Sequence, residues 1–311
     1  FLPALPFLAI WSAAGLNALI EWMKRLAGQP TVKRWLAPLM ALVFLTPGVW
    51  MLGKYHPFEL SSYNQLIGGL SGAAEKGFEI IYWGGAADYL VPEINRTAGQ
   101  NDLILLAATH WQMAYDYKPR EEFLLREDLR TMPWHGEAPK FLSGPGRRWV
   151  ALAARRSVFL KEQRRLYEQQ QPVFGLSRDG VFIAALYPYP ELSGELSSEP
   201  LIETGGFALH MLKGMYEREK NTTFVIAAWR REKPGRGMPL VDFVLEYEDG
   251  MQIRYRMPLL LSGNADVIAP GEVFLTNYPL GGRHDRAPAR RAGVLQDNGK
   301  VTAWTKLGKQ E

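Results

Sequence analysis

The chain contains no cysteine, so neither a disulfide framework nor a thiolate zinc site can form. That absence suits an oxidising compartment. Histidine is scarce as well: His56, His110, His135, His210 and His284 show no metal-ligand spacing. His135-Gly136-Glu137 and His284-Asp285 come nearest, and both read as neighbours in loops. No Gly-x-Ser-x-Gly nucleophile motif occurs, and no glycine-rich phosphate loop links a strand to a helix. A nucleotide site therefore has no support, nucleic acid is not expected as a partner, and no cofactor is expected on these residues.

Charge is missing from two early stretches. Residues 1–20, FLPALPFLAIWSAAGLNALI, carry none, and neither do residues 35–53, WLAPLMALVFLTPGVWMLG. A bilayer core needs about 20 such residues as a helix, so both runs are expected to span a membrane. Pro3, Pro6, Pro38 and Pro47 are tolerated in a membrane helix, where neighbours satisfy freed carbonyls. The segment between them holds Lys24, Arg25, Lys33 and Arg34, and basic residues mark the cytoplasmic loop. Trp22, Trp35 and Trp50 stand near the span ends, as interfacial anchors do. This topology puts everything after Lys54 outside the cytoplasm. The basic residues follow the first apolar run, which argues against a signal peptide. Phe1 opens inside that run, as expected of a piece of a longer protein.

The remaining chain changes pattern near residue 190. In residues 84–98, Ala87, Leu90, Ile94 and Ala98 fall at helical spacing, with Pro92 marking a kink or late start. Residues 102–108 and 147–155 are apolar runs of strand length, and residues 159–171 read as a charged surface helix. Residues 172–188 read as a hairpin turning at Asp179-Gly180. Buried strands alternating with helices predict an α/β sandwich domain over residues 55–190. The Ser/Glu/Pro-rich residues 190–200 read as a linker.

Beyond it, over residues 191–311, the period becomes two and predicts a β-rich, sandwich-like domain. In residues 240–257 a loop of Glu248, Asp249 and Gly250 sets Phe243 against Tyr255 and Leu245 against Ile253. The other face then pairs Asp242 with Arg256 and Glu246 with Gln252. A two-residue Asp-Gly turn would instead face Leu245 with Arg254, so the three-residue loop with a left-handed Gly250 is expected. Residues 222–230 and 271–279 add further strands. The acidic run Glu246–Gly250 is explained by this turn and needs no metal.

Other surface signals are weaker. Arg147-Arg148, Arg155-Arg156 and the arginines of residues 283–291 can face lipid headgroups or solvent. Asn95-Arg96-Thr97 and Asn221-Thr222-Thr223 fit the glycosylation acceptor pattern.

Residues 61–85, SSYNQLIGGLSGAAEKGFEIIYWGG, place six glycines among Tyr63, Phe78, Tyr82 and Trp83. Such a segment turns and approaches other groups closely at an entropic cost. Pro57, Leu60, Ser61, Tyr63, Asn64, Gly68, Gly69, Glu79, Tyr82, Trp83 and Gly84 follow an apolar run in a recognisable order. That order resembles bacterial membrane glycosyltransferases of family 39, the protein O-mannosyltransferase-like group. There a last span precedes Pro-x-x-Leu-(Ser/Thr)-x-Tyr-Asn, a Gly-Gly pair, and an acidic residue before Tyr-Trp-Gly. The resemblance covers residues 1–100 well and thins towards 190.

It implies a multi-pass plasma-membrane enzyme with its C-terminal domains on the periplasmic side. The enzyme would transfer a sugar from a polyprenyl-phosphate donor to a glycan, lipid or protein acceptor. Its base would be an aspartate of a first external loop, often aided by a divalent metal. That loop has no counterpart here, so no residue of this chain takes the catalytic role. Tyr63, Asn64, Gly68, Gly69, Glu79, Tyr82, Trp83 and Gly84 would instead dock the external domain. The competing reading is a membrane-anchored, non-enzymatic module that binds glycan or protein. Trp229, Tyr247, Tyr255, Tyr278 and Trp304 would then stack on sugar rings, although alternating aromatics in strands are more often core.

Overall fold

The structure is a computed structural model describing residues 5–309, except 27–28, 64, 82–83, 109–123, 136–138, 190–198, 218–221, 235–236, 238, 262–264, 282–288 and 297–299. Contacts divide the chain into two units, Phe1–Gln65 and Leu66–Glu311.

The first unit is helical. Helix α1 spans Leu5–Leu26 and α2 spans Pro30–Tyr55. Pro30 starts α2, where a missing N–H costs nothing and the fixed φ suits the first helical position. The helices therefore run closer together in sequence than the expected loop, and Arg34 lies inside α2. Lys24 and Arg25 fall in the last turn of α1, where positive charge complements the helix dipole.

Among the described residues one helix, Arg34–Tyr55, is long and apolar enough to cross a membrane, with a mean hydropathy of 1.8. The expected pair of spans thus reduces to one on this measure. The first run does form α1, and it exposes Phe7, Ile10 and Trp11. Along α2, Trp35, Leu39, Leu42, Val43, Phe44 and Val49 are all exposed. Thr46 turns its hydroxyl inward, donating to the Leu42 carbonyl at 2.6 Å. This is the back-bond a helical threonine commonly makes to the residue four before it.

The second unit is built on two sheets. In the first, β1 (Leu103–Ala107) lies between β2 (Arg130–Trp134) and β4 (Arg148–Ala153), parallel to both. β6 (Val181–Pro188) then runs antiparallel to β4, and β5 (Phe174–Arg178) closes the order β2-β1-β4-β6-β5. The runs LILLA and RWVALA are buried nearly throughout, as strands covered on both faces must be. The β5–β6 turn falls at Asp179 and Gly180, both left-handed at φ 49° and 75°. Short helices accompany this sheet: α3 (Gly69–Glu75), α4 (Val91–Thr97) and α5 (Lys161–Gln169). Pro92 sits in the first turn of α4, behind a 3-10 turn over Gly84–Leu90, so it marks a late start.

Among the described residues the second sheet has nine strands: β3 (Lys140–Ser143), β7 (Ile202–Thr204), β8 (Phe207–Glu217), β9 (Thr222–Arg231), β10 (Leu240–Glu246), β11 (Gln252–Pro258), β12 (Val273–Gly281), β13 (Arg291–Leu295) and β14 (Val301–Lys309). Their order is β11-β10-β13-β14-β8-β9-β12-β3, with β7 on β8. The β-rich C-terminal region is thus as expected. So is the register of its marker hairpin: Phe243 faces Tyr255, Leu245 faces Ile253, and Asp242 faces Arg256. The Tyr247 amide donates to the Met251 carbonyl at 2.9 Å, and Gly250 is left-handed at φ 78°.

The stretch 55–190 and the stretch 191–311 share more than a linker. β3, from the first, pairs with β12 of the second. One apolar core joins Leu105, Val150 and Tyr187 of the first sheet to Leu209, Trp229 and Phe243 of the second. Phe141 on β3 meets Tyr189 edge-on at 6.5 Å and Phe274 at 6.2 Å. A four-residue strand carries too little alternation for sequence to place it. Residues 190–198, most of the expected linker, lie outside the described residues.

Candidate functional site

The glycine-rich segment begins in the first unit and continues in the second. In the first, Ser61 is fully buried, Leu60 is 61 % exposed and Tyr63 is half-buried. Asn64, Tyr82 and Trp83 lie outside the described residues. In the second unit Gly68 and Gly69 are both left-handed, at φ 92° and 64°. Two consecutive residues there would strain any side chain, so this pair is a backbone requirement. Helix α3 starts from it. At the other end Gly77 adopts φ 79°, while its amide reaches the Ala74 carbonyl and the Phe78 amide reaches that of Ala73. These two bonds with a left-handed glycine form a Schellman stop. The chain therefore folds into a single short helix held by glycine at both ends.

Glu79 fixes that unit to the rest of the domain. Its carboxylate accepts the backbone amides of Arg156 and Ser157, the latter at 2.9 Å, at the start of the 3-10 turn Arg156–Val158. Arg156 returns the contact by donating its guanidinium to the Ala74 carbonyl at 2.7 Å. Glu79 is thus a clamp, holding the segment to the loop that leaves β4. Gly84 opens the 3-10 turn that leads into α4.

Asp88, in the same turn, is a residue the sequence reading passed over. Desolvation raises its carboxyl pKa to about 6, and among the described residues it has no hydrogen bond or ion pair. A carboxyl of this kind can hold or release a proton near neutral pH. Its only sequence signal is an acid within the apolar run Ala86–Leu90.

Two further acids are structural. Asp102, 2 % exposed, accepts from the Gly99 and Arg147 amides at 2.8 and 2.7 Å and from the Trp149 indole at 2.8 Å. It pins together the starts of the central parallel strands β1 and β4. Glu272, fully buried, receives both arms of Arg130 and the Ala269 amide.

The remaining candidates separate widely. His56 is exposed and bonds Glu59 at 2.6 Å. His210 is buried, 3.9 Å from Glu232. His135 is exposed, while His110, Glu137, His284 and Asp285 lie outside the described residues. Among the described residues no group of three or more His, Asp or Glu side chains is placed to hold a metal. No step through the divalent metal that the resemblance implies is therefore assigned to these residues.

Of the proposed sugar-stacking aromatics, Trp229, Tyr247 and Tyr278 are buried in the core. Trp304 is covered by the Arg291 guanidinium at 4.0 Å, and the half-buried Tyr255 donates to the Gly281 carbonyl at 2.6 Å. Asn95 of the first glycosylation pattern is engaged on both sides. Its amide donates to the Leu124 carbonyl at 2.8 Å and its oxygen accepts the Arg126 amide at 3.0 Å. Asn221 of the second pattern lies outside the described residues.

Comparison with protein-family models, curated proteins and solved structures finds no match.

Proposed function

We propose that this chain forms the C-terminal part of an integral membrane glycosyltransferase resembling family 39. It would take a sugar from a polyprenyl-phosphate donor and give it to an acceptor outside the cytoplasm. α1 and α2 would both cross the plasma membrane with Lys24, Arg25 and Arg34 on the cytoplasmic side. Residues 66–311 would then lie on the periplasmic face. The observation carrying this reading is the order of parts. An apolar helix ends at Tyr55 and is followed by the motif, whose Gly68-Gly69 pair is demanded by the backbone. Glu79 serves in this reading as a structural clamp, and no residue here is the base.

Asp88, beside the motif, is a desolvated carboxyl whose pKa is raised to about 6, and it is given no catalytic part in this reading. The motif's role in this reading is to hold residues 66–311 at the outer surface, where acceptors arrive.

The test is transfer of labelled sugar from a polyprenyl-phosphate donor in reconstituted membranes. Residues 1–311 alone should transfer none. The same residues in a chain supplying the family's first external loop should turn over. Transfer by residues 1–311 alone would overturn the assignment and return attention to Asp88, Glu137 and Asp285.

A further inference from the structure

Part of the motif segment faces outward with apolar side chains. Leu66 is 92 % exposed, Phe78 47 % and Val158 44 %. Hydrogen bonds link the segments that carry them. Phe78 precedes Glu79, whose carboxylate holds the amides of Arg156 and Ser157, and Val158 follows directly. Lys76 extends to the carbonyl of Ile67, the residue after Leu66, at 3.3 Å.

The charge around them is mostly of one sign. Lys76, Arg155 and Lys161 form no ion pair among the described residues, and Arg156 gives its guanidinium to a neutral carbonyl. Nearby carboxylates are already engaged: Glu79 with two amides, Glu162 with Lys140 at 2.8 Å, and Glu168 with Arg164 at 3.6 Å. Glu75 is the exposed exception.

We infer that this surface, with Leu66, Phe78 and Val158 among Lys76, Arg155 and Lys161, rests on anionic phospholipid. Apolar side chains entering the interfacial layer while cations meet headgroup phosphates is how a surface binds such a membrane. A protein partner could meet the same charges, but the chain itself favours lipid. Leu66 follows Tyr55, the last residue of the membrane-length helix, by eleven positions. A tether that short supplies a high effective concentration, so three apolar side chains suffice where a free domain would need more. The inference requires α2 to be inserted in a bilayer. It does not require sugar transfer.

The missing cysteines make the test direct. The full chain is reconstituted in nanodiscs of phosphatidylcholine, with or without phosphatidylglycerol. A fluorophore is attached at Ser157→Cys, at Leu45→Cys within α2, or at Ser177→Cys on β5, and lipid-borne nitroxides act as quenchers. The label at 45 should be quenched in both lipids and the label at 177 in neither. The label at 157 should be quenched in the anionic discs and released by salt. Lys76→Gln and Arg155→Gln should each lower the membrane-facing fraction about fivefold. A label at 157 that stays unquenched while 45 is quenched overturns the inference. Shielding of 157 from an aqueous quencher without lipid quenching also overturns it, and assigns the surface to a protein. An unquenched label at 45 overturns the membrane placement of α2, and the inference with it.

Discussion

Arg130 and Glu272 stand 142 positions apart and meet through two parallel hydrogen bonds of 2.7 and 2.9 Å. Arg130 leads β2 of the first sheet, and Glu272 precedes β12 of the second. The same guanidinium also reaches the Val267 carbonyl at 2.8 Å and the Asn101 carbonyl at 3.0 Å. Glu272 is fully buried, so the pair must be satisfied from within. Arg130→Met would leave the carboxylate unpaired inside the protein, a loss of about 3–5 kcal/mol. Chemical denaturation followed by tryptophan fluorescence should read it. Replacing both residues by Met and Leu should cost less than the single change.

Stability should depend on pH through Asp88. Its pKa is raised from 3.8 to about 6 by desolvation. A raised carboxyl pKa means that the folded state binds the proton more tightly than the unfolded state does. The stabilisation is therefore fully present below about pH 4 and is lost as pH rises through about 6. Because the side chain is half-buried, solvent screening reduces the effect to about 1–2 kcal/mol. Asp88→Asn should stabilise the protein by that amount at pH 7 and flatten this part of the profile. Parallel slopes for both proteins between pH 4 and 7 would show that Asp88 is not desolvated.

Asn95 should be needed unmodified. Its amide carries two bonds that hold residues 124–126 against α4. A sugar on the amide nitrogen would displace the bond to Leu124. Asn95→Ala should cost about 1–3 kcal/mol and speed proteolysis between Leu124 and Arg126. Glycosylation at this site with no loss of stability would contradict the bonding described.

Topology gives a separate check. Single cysteines at Gln29 and Ser177 should lie on opposite sides of the membrane. An impermeant thiol reagent should label position 177 in intact spheroplasts and position 29 only after lysis. Equal labelling of the two would refute the pair of spans.

Gly250→Ala tests the marker hairpin. A methyl group at φ 78° should cost about 1–2 kcal/mol and leave the β10–β11 register unchanged, as read by amide exchange.

What was legible in the sequence is what short-range physics dictates. Phe243, Leu245, Ile253 and Tyr255 could share a face in one register only, and Gly250 supplied the turn. The apolar runs of β1 and β4 announced strands covered on both sides. Relations set by distant residues were not legible. Asp102 looks like any acid ahead of a strand until Arg147 and Trp149 reach it from 45 and 47 positions away. β8 contains Lys213-Gly214, which interrupts its alternation, yet Gly214 is where the Leu307 side chain of β14 lies. Of the motif, the Gly-Gly pair could be read as a turn from its letters. Its attachment through Glu79 to the amides of residues 156 and 157 could not.

The place of β14 has a consequence for the order of assembly. It lies between β13 and β8, and its link to β8 is a parallel run of three residues, Leu307 to Lys309 against Gly214 to Tyr216. β8, β9, β12 and β3 can pair as one ribbon, and β10, β11 and β13 as another, before β14 is made. Joining them waits until residues beyond 300 emerge, on the order of 10 s after β8 at ordinary synthesis rates. During that interval the edge of β8 stands open to other chains, while that of β13 is exposed only briefly before β14 follows. A chain delivered slowly across a membrane would lengthen that exposure, so a chaperone shielding strand edges should raise the yield of folded protein more than one shielding apolar helices.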